Sequence, residues 1–264
     1  MSKTEQEYRQ EIVELGRLMY QKGWAAANDG NVTIRLDDHR VLCTPTGVSK
    51  GMMKPEDMCV CDMDGTLLEG PRSRTSEILM HLTIYRMRAD VQAVVHAHPP
   101  VATGFAVAGR PLNLALLPEV VVNLGCVPLA EYGLPGTPEL TRDMLAYIPC
   151  HDALLMGNHG AVAYGEDSRT AFFNMETVEH LAQVTLVAEL LGGPRVLPRR
   201  EVQKLFDSRG RYGVASNAAS GQGSPVVAEE HRPANERLSI TREELASLIE
   251  EILRARVEEV KDVR

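Results

Sequence analysis

The chain has 264 residues, 44% of them hydrophobic, and a formal charge of −8. That length suffices for one substantial domain with an appendage, or for two small domains. The acidic balance argues against a general nucleic-acid binder, which carries a basic patch or stripe, and no apolar run approaches the roughly 18 residues that span a bilayer.

The opening "MSKTEQEYRQEIVEL" is polar and then amphipathic, without a signal-peptide core. Ile12, Leu15, Leu18 and Met19 fall at helical spacing, so a helix is predicted first. "VTIRL" and "RVLCTPTG" alternate about the turn "DDH" and predict a hairpin. "MCVCDMDGTLLEG" predicts a second strand pair turning at Asp64-Gly65. A helix over "SEILMHLTIYRMR" and a strand over "VQAVVHAH" follow, and the double proline Pro99-Pro100 reads as a stop. "PEVVVNLG", "VPLAEYG" and "ALLMGNHGAVAYG" supply further predicted strands. A long helix, "SRTAFFNMETVEHLAQVTLVAELLGG", ends at a double glycine. The cysteines at 43, 59, 61, 126 and 150 are odd in number and form no CxxC; reduced thiols, and so a cytoplasmic setting, are the simple reading.

From about Tyr212 the composition changes. Residues 214–238, rich in Ala, Ser, Gly and Pro, read as a flexible linker. In 239–264, Thr241 and Glu244 make a capping-box pattern. Leu245, Leu248, Ile249, Ile252, Leu253, Val257 and Val260 then form one apolar stripe on a charged helix. The predicted layout is a core over 1–213, a tether and a detached amphipathic helix.

The chemistry concentrates in "VVHAHPP". On a strand, residues two apart share a face, so His96 and His98 can aim both imidazoles at one point. The competing reading is two unrelated polar residues at a strand end. His159, in the Gly-flanked turn "MGNHG", offers a third imidazole, and Glu77 lies in the first turn of the helix that begins near 73–76. Three histidines with one displaceable position is a common catalytic zinc arrangement. His81 shares the helix face of Glu77 and reads as a partner or core residue; His39 and His151 read as turn residues, and His180 lies inside the long helix. Thr75 and Ser76 stand at a helix start, where unpaired N–H groups favour an anion, although helix capping explains them too. The turns "TPTG" and "NDGN" are also small and expose backbone. Together they could cradle a phosphate without a P-loop, whose spacing is absent.

Taken in order, "DGNVTIR", "TPTG", "SRTSEILMH", "VVHAHPP", "YGLPGTPEL" and "MGNHGAV" resemble the class II aldolase/adducin family over about residues 5–213. The nearest branch is that of the ketose 1-phosphate aldolases. The resemblance implies an α/β, three-layer fold: a central, mainly antiparallel sheet flanked by helices, with the amphipathic helix detached from it. It implies a homotetramer with interfacial active sites and one Zn2+ per subunit held by His96, His98, His159 and Glu77. Glu77 is then also the catalytic carboxylate, and Asn28, Asn31, Thr46, Gly47, Thr75 and Ser76 hold the phosphate of a sugar-phosphate substrate. The expected reaction is retro-aldol cleavage of a ketose 1-phosphate, L-fuculose 1-phosphate foremost, to dihydroxyacetone phosphate and L-lactaldehyde. A sugar-acid phosphate decarboxylase of the same family is the alternative.

Two positions depart from the family pattern. Val122, in what reads as an interface strand, stands where a proton-donating tyrosine is expected; Glu119 and Tyr132 are the residues that could replace it. A second family tyrosine corresponds to Tyr212. The tethered helix 239–264 either folds back on its own core or pairs across the oligomer, or else, as it resembles the encapsulation peptides that bind shell or cargo proteins, places the enzyme in the lumen of a bacterial microcompartment. A rival to the whole reading lies in "DMDGT", which matches the opening of haloacid dehalogenase-type phosphatases, with Asp62 as nucleophile and Asp64 as acid/base. A hairpin turn explains the same residues.

Overall fold

A computed structural model describes residues 3–212, the side chain of Tyr212 excepted, and residues 224–228. Eight strands form one sheet: β1 (Asn31–Arg35), β2 (Arg40–Cys43), β3 (Cys59–Asp62), β4 (Leu67–Glu69), β5 (Ala93–Ala97), β6 (Leu129–Ala130), β7 (Ala153–Met156) and β8 (Gly160–Gly165). Their order across the sheet is β4-β3-β2-β1-β5-β8-β7-β6. Every described pairing is antiparallel except β6 with β7. The helices are α1 (Glu5–Gln21), α2 (Ile78–Met87), α3 (Pro100–Val107), α4 (Pro118–Asn123), α5 (Pro138–Arg142), α6 (Ser168–Leu190) and α7 (Arg199–Asp207), joined by short 3-10 turns. No helix among the described residues is long and apolar enough to cross a membrane.

The alternation of side chains along each strand builds the layers. Val32, Ile34, Leu42, Val60, Ala93, Val95, Ala97, Ala161 and Ala163 point to one face and pack with Ile12 of α1, Phe105 of α3 and Met175 and Val178 of α6. Val41, Cys43, Cys59, Cys61, Val94, Leu154, Val162 and Tyr164 point to the other and pack with Ile78, Leu82 and Tyr85 of α2 and Leu140 of α5. The expected three-layer arrangement is therefore present. His96 lies two residues beyond Val94, on the face covered by α2.

Three expectations need correcting. "PEVVVNLG" is helix α4, not a strand. Three valines in a row read as β by propensity, but Pro118 presets the first helical turn and Leu124 N–H donates to Val120 O at 2.8 Å. Burial of Val120, Val121 and Val122 outweighs the weak local preference. The double proline does not stop the chain: Pro100 opens α3, where its missing N–H costs nothing. The span read as linker contains a docked stretch, with Val226 N–H on Asn113 O and Ala115 N–H on Val226 O. Val227 packs there with Ala115, Val121 and Val202, so the first compact unit runs to Ala228. The capping box at Thr241 and Glu244 and the amphipathic stripe of 239–264 lie outside the described residues.

"DMDGT" is the turn between β3 and β4. Asp62 Oδ1 accepts from the Asp64 and Thr66 N–H groups at 2.9 and 2.8 Å, and Asp64 is an exposed partner of Arg86. Asp62 is occupied in shaping its own hairpin.

Candidate functional site

The register of the central strands assembles the site. Asn31 on β1 pairs directly with His96 on β5, and Ala97 pairs with Ala161 on β8. His98 follows just past the end of β5. The β7–β8 turn then carries His159 back over the same sheet edge, with Asn158 in a left-handed conformation at φ 54°. Gly160 is required there: a Cβ would lie 2.6 Å from the His98 ring and 2.7 Å from Ala97 O. Gly30, at φ +73°, lets the chain pass His96 O at a distance that a Cβ would close to 2.9 Å.

One ligand atom from each of His96, His98 and His159 lies within 4.8 Å of the others. Glu77 occupies the N-cap position of α2 without capping it, so the carboxylate is free to face the imidazoles. Its Oε2 lies 3.1 Å from His96 Nε2 and its Oε1 3.1 Å from His159 Nε2. The helix thus starts slightly later than the sequence suggests. His96 is fully buried and donates from Nδ1 to Ala161 O at 2.9 Å, which turns the bare Nε2 toward the cluster. His98 Nε2 is 3.2 Å from His96 Nε2, and its Nδ1 is 3.5 Å from Asp29 Oδ2.

The four side chains are electrostatically coupled. Burial opposes the charge on Glu77, but the imidazoles, His96 foremost, outweigh it and hold the carboxyl far below the usual carboxylate range. Burial would depress His96, yet the Glu77 carboxylate carries it above its ordinary value. His98 is pushed down to about 4, by burial first and then by His96 and His159, so it presents lone pairs. Two buried polar atoms, Glu77 Oε1 and His159 Nδ1, have no hydrogen-bond partner. Three imidazoles and a carboxylate with an unsatisfied oxygen fit a divalent ion such as zinc.

The cluster opens into a cavity of about 220 Å3 lined by Glu77, His98 and His159 on one side. Asn28, Asn31, Thr46, Thr75 and Ser76 line the rest with Asp29, Lys50 and Pro135. Two backbone bonds, Thr46 N–H to Ser73 O and Thr75 N–H to Thr44 O, fasten the "TPTG" turn to the segment ahead of α2. Gly47, at φ +71°, sits beside the cavity without lining it. The Asn31 amide is engaged with the carboxylate, since Nδ2 donates to Glu77 Oε2 at 2.9 Å.

The expected proton donors are not brought together. Val122 is buried in α4, Glu119 and Tyr132 are exposed, and none of them lines the cavity. Tyr212 closes the 3-10 turn Arg209–Tyr212, and its side chain lies outside the described residues. Two charged cavity residues escaped the sequence reading, Asp29 and Lys50. Asp29 sat inside the quoted "NDGN". Lys50, three residues beyond Gly47, has the appearance of a surface lysine, yet it is only 2% exposed. Its Nζ donates to Asn28 O and Val48 O, both at 2.9 Å, and so joins the two turns. Burial pushes its ammonium down to about 8.

Comparison with known proteins gives a consistent result. The family described as Class II Aldolase and Adducin N-terminal domain matches residues 10–186. A 5-deoxy-D-ribulose 1-phosphate aldolase of Bacillus thuringiensis serovar kurstaki is 32% identical over 211 residues, 79% of this chain and 98% of the relative. A 3-oxo-tetronate 4-phosphate decarboxylase of Haemophilus influenzae is 34% identical over 206 residues, 76% and 96% of the two chains. Among solved structures, an L-fuculose 1-phosphate aldolase superposes with a TM-score of 0.71 at 30% identity, covering 79% of this chain and 97% of that one.

Proposed function

The chain belongs to the class II aldolase and adducin family and is one of its lyases, and on that premise we propose that it breaks the C3–C4 bond of a ketose 1-phosphate. The products are dihydroxyacetone phosphate and an aldehyde, with L-fuculose 1-phosphate the leading substrate and L-lactaldehyde its product. One observation carries the reading: a buried carboxylate and two of three convergent imidazoles line a single cavity together with two anion-suited turns. His96, His98 and His159 would hold zinc, with Glu77 beside them. When bound, the ion supplies Lewis acidity to the negative charge that develops on the substrate oxygens.

The chain's own groups do the rest. As the bond breaks, its electron pair passes to the three-carbon half, and the C4 hydroxyl gives up its proton to the Glu77 carboxylate, which returns a proton to C3. Glu77 carries the proton to or from C3, being the buried carboxylate of the cavity beside the imidazoles. Thr46, Thr75, Ser76 and Asn28 grip the phosphate and keep the three-carbon half in place while the aldehyde leaves.

The resemblance to a 3-oxo-tetronate 4-phosphate decarboxylase supports a second reading, since decarboxylation also places negative charge on an enediolate. A substrate panel decides between them. Release of dihydroxyacetone phosphate from L-fuculose 1-phosphate or 5-deoxy-D-ribulose 1-phosphate supports the aldolase. Carbon dioxide released from 3-oxo-tetronate 4-phosphate, with both ketose phosphates inert, rejects it.

Lys50 is the one lysine or arginine among the cavity-lining residues, so it supplies the fixed positive charge for a phosphate. Lys50→Met is expected to raise KM for the ketose phosphate by about 10–100-fold, the value of a hydrogen bond to a charged group, with kcat within about 3-fold. Steady-state kinetics with inorganic phosphate as competitor checks this. An unchanged KM and a lower melting temperature would leave Lys50 as a staple between turns.

The four-fold assembly and the compartment role of 239–264 belong to the same proposal. Leu190 and Leu191, 79% and 82% exposed at the end of α6, are suited to burial between subunits. Because residues 224–228 are docked, the chain should be cut after Ala228. The shortened protein is expected to keep activity and a tetrameric mass in sedimentation while losing co-purification with shell proteins. Undiminished shell binding would reject the targeting role.

A further inference from the structure

The contacts behind the carboxylate extend away from the cavity in one continuous line. Glu77, His81 and Tyr85 recur every four residues along one side of α2, and Asn31 and Thr33 alternate on the facing side of β1. Four helical residues rise about 6 Å and two strand residues about 6.6 Å, so the two rows stay in step. Asn31 Nδ2 donates to Glu77 Oε2 at 2.9 Å, and Asn31 Oδ1 is bonded to His81 Nε2. His81 Nδ1 lies 2.8 Å from Thr33 Oγ1, which lies 2.8 Å from the Tyr85 hydroxyl.

Counting protons fixes the direction of this line. An amide oxygen only accepts, so His81 must carry its proton on Nε2. Nδ1 is then bare and accepts a hydrogen bond from the Thr33 hydroxyl, which leaves the Thr33 oxygen to accept from Tyr85. The Tyr85 hydroxyl also lies 3.2 Å from Gln92 O, a longer contact than its 2.8 Å to Thr33 Oγ1. Every donor therefore points toward the carboxylate. Burial pushes His81 down to about 3, so the ring stays neutral and its tautomer is constant.

We propose that His81 is a positioning residue whose Nε2–H locks the Asn31 amide in the one orientation that donates to Glu77. The inference rests on Glu77 as the proton-transferring carboxylate. It gives the chain a device that holds this carboxylate without touching substrate. An Asn31 free to rotate its amide would turn an oxygen lone pair against Glu77, and the carboxylate would move away.

Three variants and one spectrum test this. His81→Gln keeps an N–H at about the height of Nε2, His81→Asn reaches only to the level of Nδ1, and His81→Leu removes both groups. His81→Leu and His81→Asn are expected to lower kcat by about 10–100-fold, the usual cost of losing an outer hydrogen-bond partner, with KM within about 3-fold and metal content unchanged. His81→Gln should recover most of kcat. Equal losses in Gln and Asn, or kcat falling only in step with melting temperature, would overturn the role; if Leu does not fold, the Gln–Asn pair decides alone. Independently of activity, 15N-histidine NMR of the wild type should show His81 protonated on Nε2 and unchanging between about pH 5 and 8. A proton on Nδ1 rejects the proposal even if no tested ketose phosphate is turned over, a result that on its own would count against the proposed reaction.

Discussion

Glu77→Gln is expected to lower kcat for dihydroxyacetone phosphate release by about 10²–10⁴-fold, the usual share of a positioned acid or base. The amide has the shape of the carboxylate and can still accept from Asn31 Nδ2, so the fold and the cavity should survive. What it lacks is any capacity to take a proton from carbon. The three imidazoles remain, so metal content measured by atomic absorption should stay near one per subunit. KM should change far less than kcat, because the phosphate contacts proposed for Asn28, Thr46, Thr75 and Ser76 use side chains other than that of Glu77. A variant retaining more than about a tenth of wild-type kcat would remove Glu77 from the chemistry. It would leave the residue as a metal ligand or a counter-charge for His96.

His96→Ala is expected to abolish both metal binding and activity. His96 is completely buried, accepts no solvent, and is fixed by its Nδ1–H bond to Ala161 O. Its removal takes one imidazole from the cluster, empties a buried position and costs Ala161 O one of its hydrogen bonds, about 0.5–1.5 kcal/mol for the bond. A destabilised protein could lose activity for that reason alone, so the comparison is with chelated wild type. Wild type stripped by a chelator should lose turnover and regain it when a divalent ion is returned, whereas folded His96→Ala should recover nothing. Activity that persists through exhaustive chelation would sink the metal-dependent reading. Full activity in the variant would move the ligand set elsewhere.

The sequence exposed the site better than it exposed the scaffold around it. His96 and His98 were legible because a strand's two-residue period is a rigid geometric fact, and one ring nitrogen of each lies in the same cluster. His159 was legible through its flanking glycines, whose need appears directly in the contact that a Gly160 side chain would make. Helix α4 was not, because three valines carry a β preference that Pro118 and burial override. Lys50 was hidden for a different reason: lysines are seldom buried, and only the folded chain shows two carbonyls waiting for its ammonium. Asn31 was assigned to phosphate from a motif, while its engagement with Glu77 and His81 depends on helix and strand rows that no single stretch of sequence contains.

The cluster's members come from α2, from the end of β5 and from the turn before β8, between positions 77 and 159 of the chain. No local segment can assemble it, since the sheet must first bring β1, β5 and β8 edge to edge. Such long-range pairings form late and slowly in folding. A ligand that requires all four side chains therefore recognises only chains whose central sheet is complete. At a hundredfold excess over its dissociation constant such a ligand adds about 2.7 kcal/mol to the native state and nothing to partly folded ones. The residues proposed for the reaction would then also act as a proofreading step on the fold, separating finished molecules from those whose strands have not yet closed.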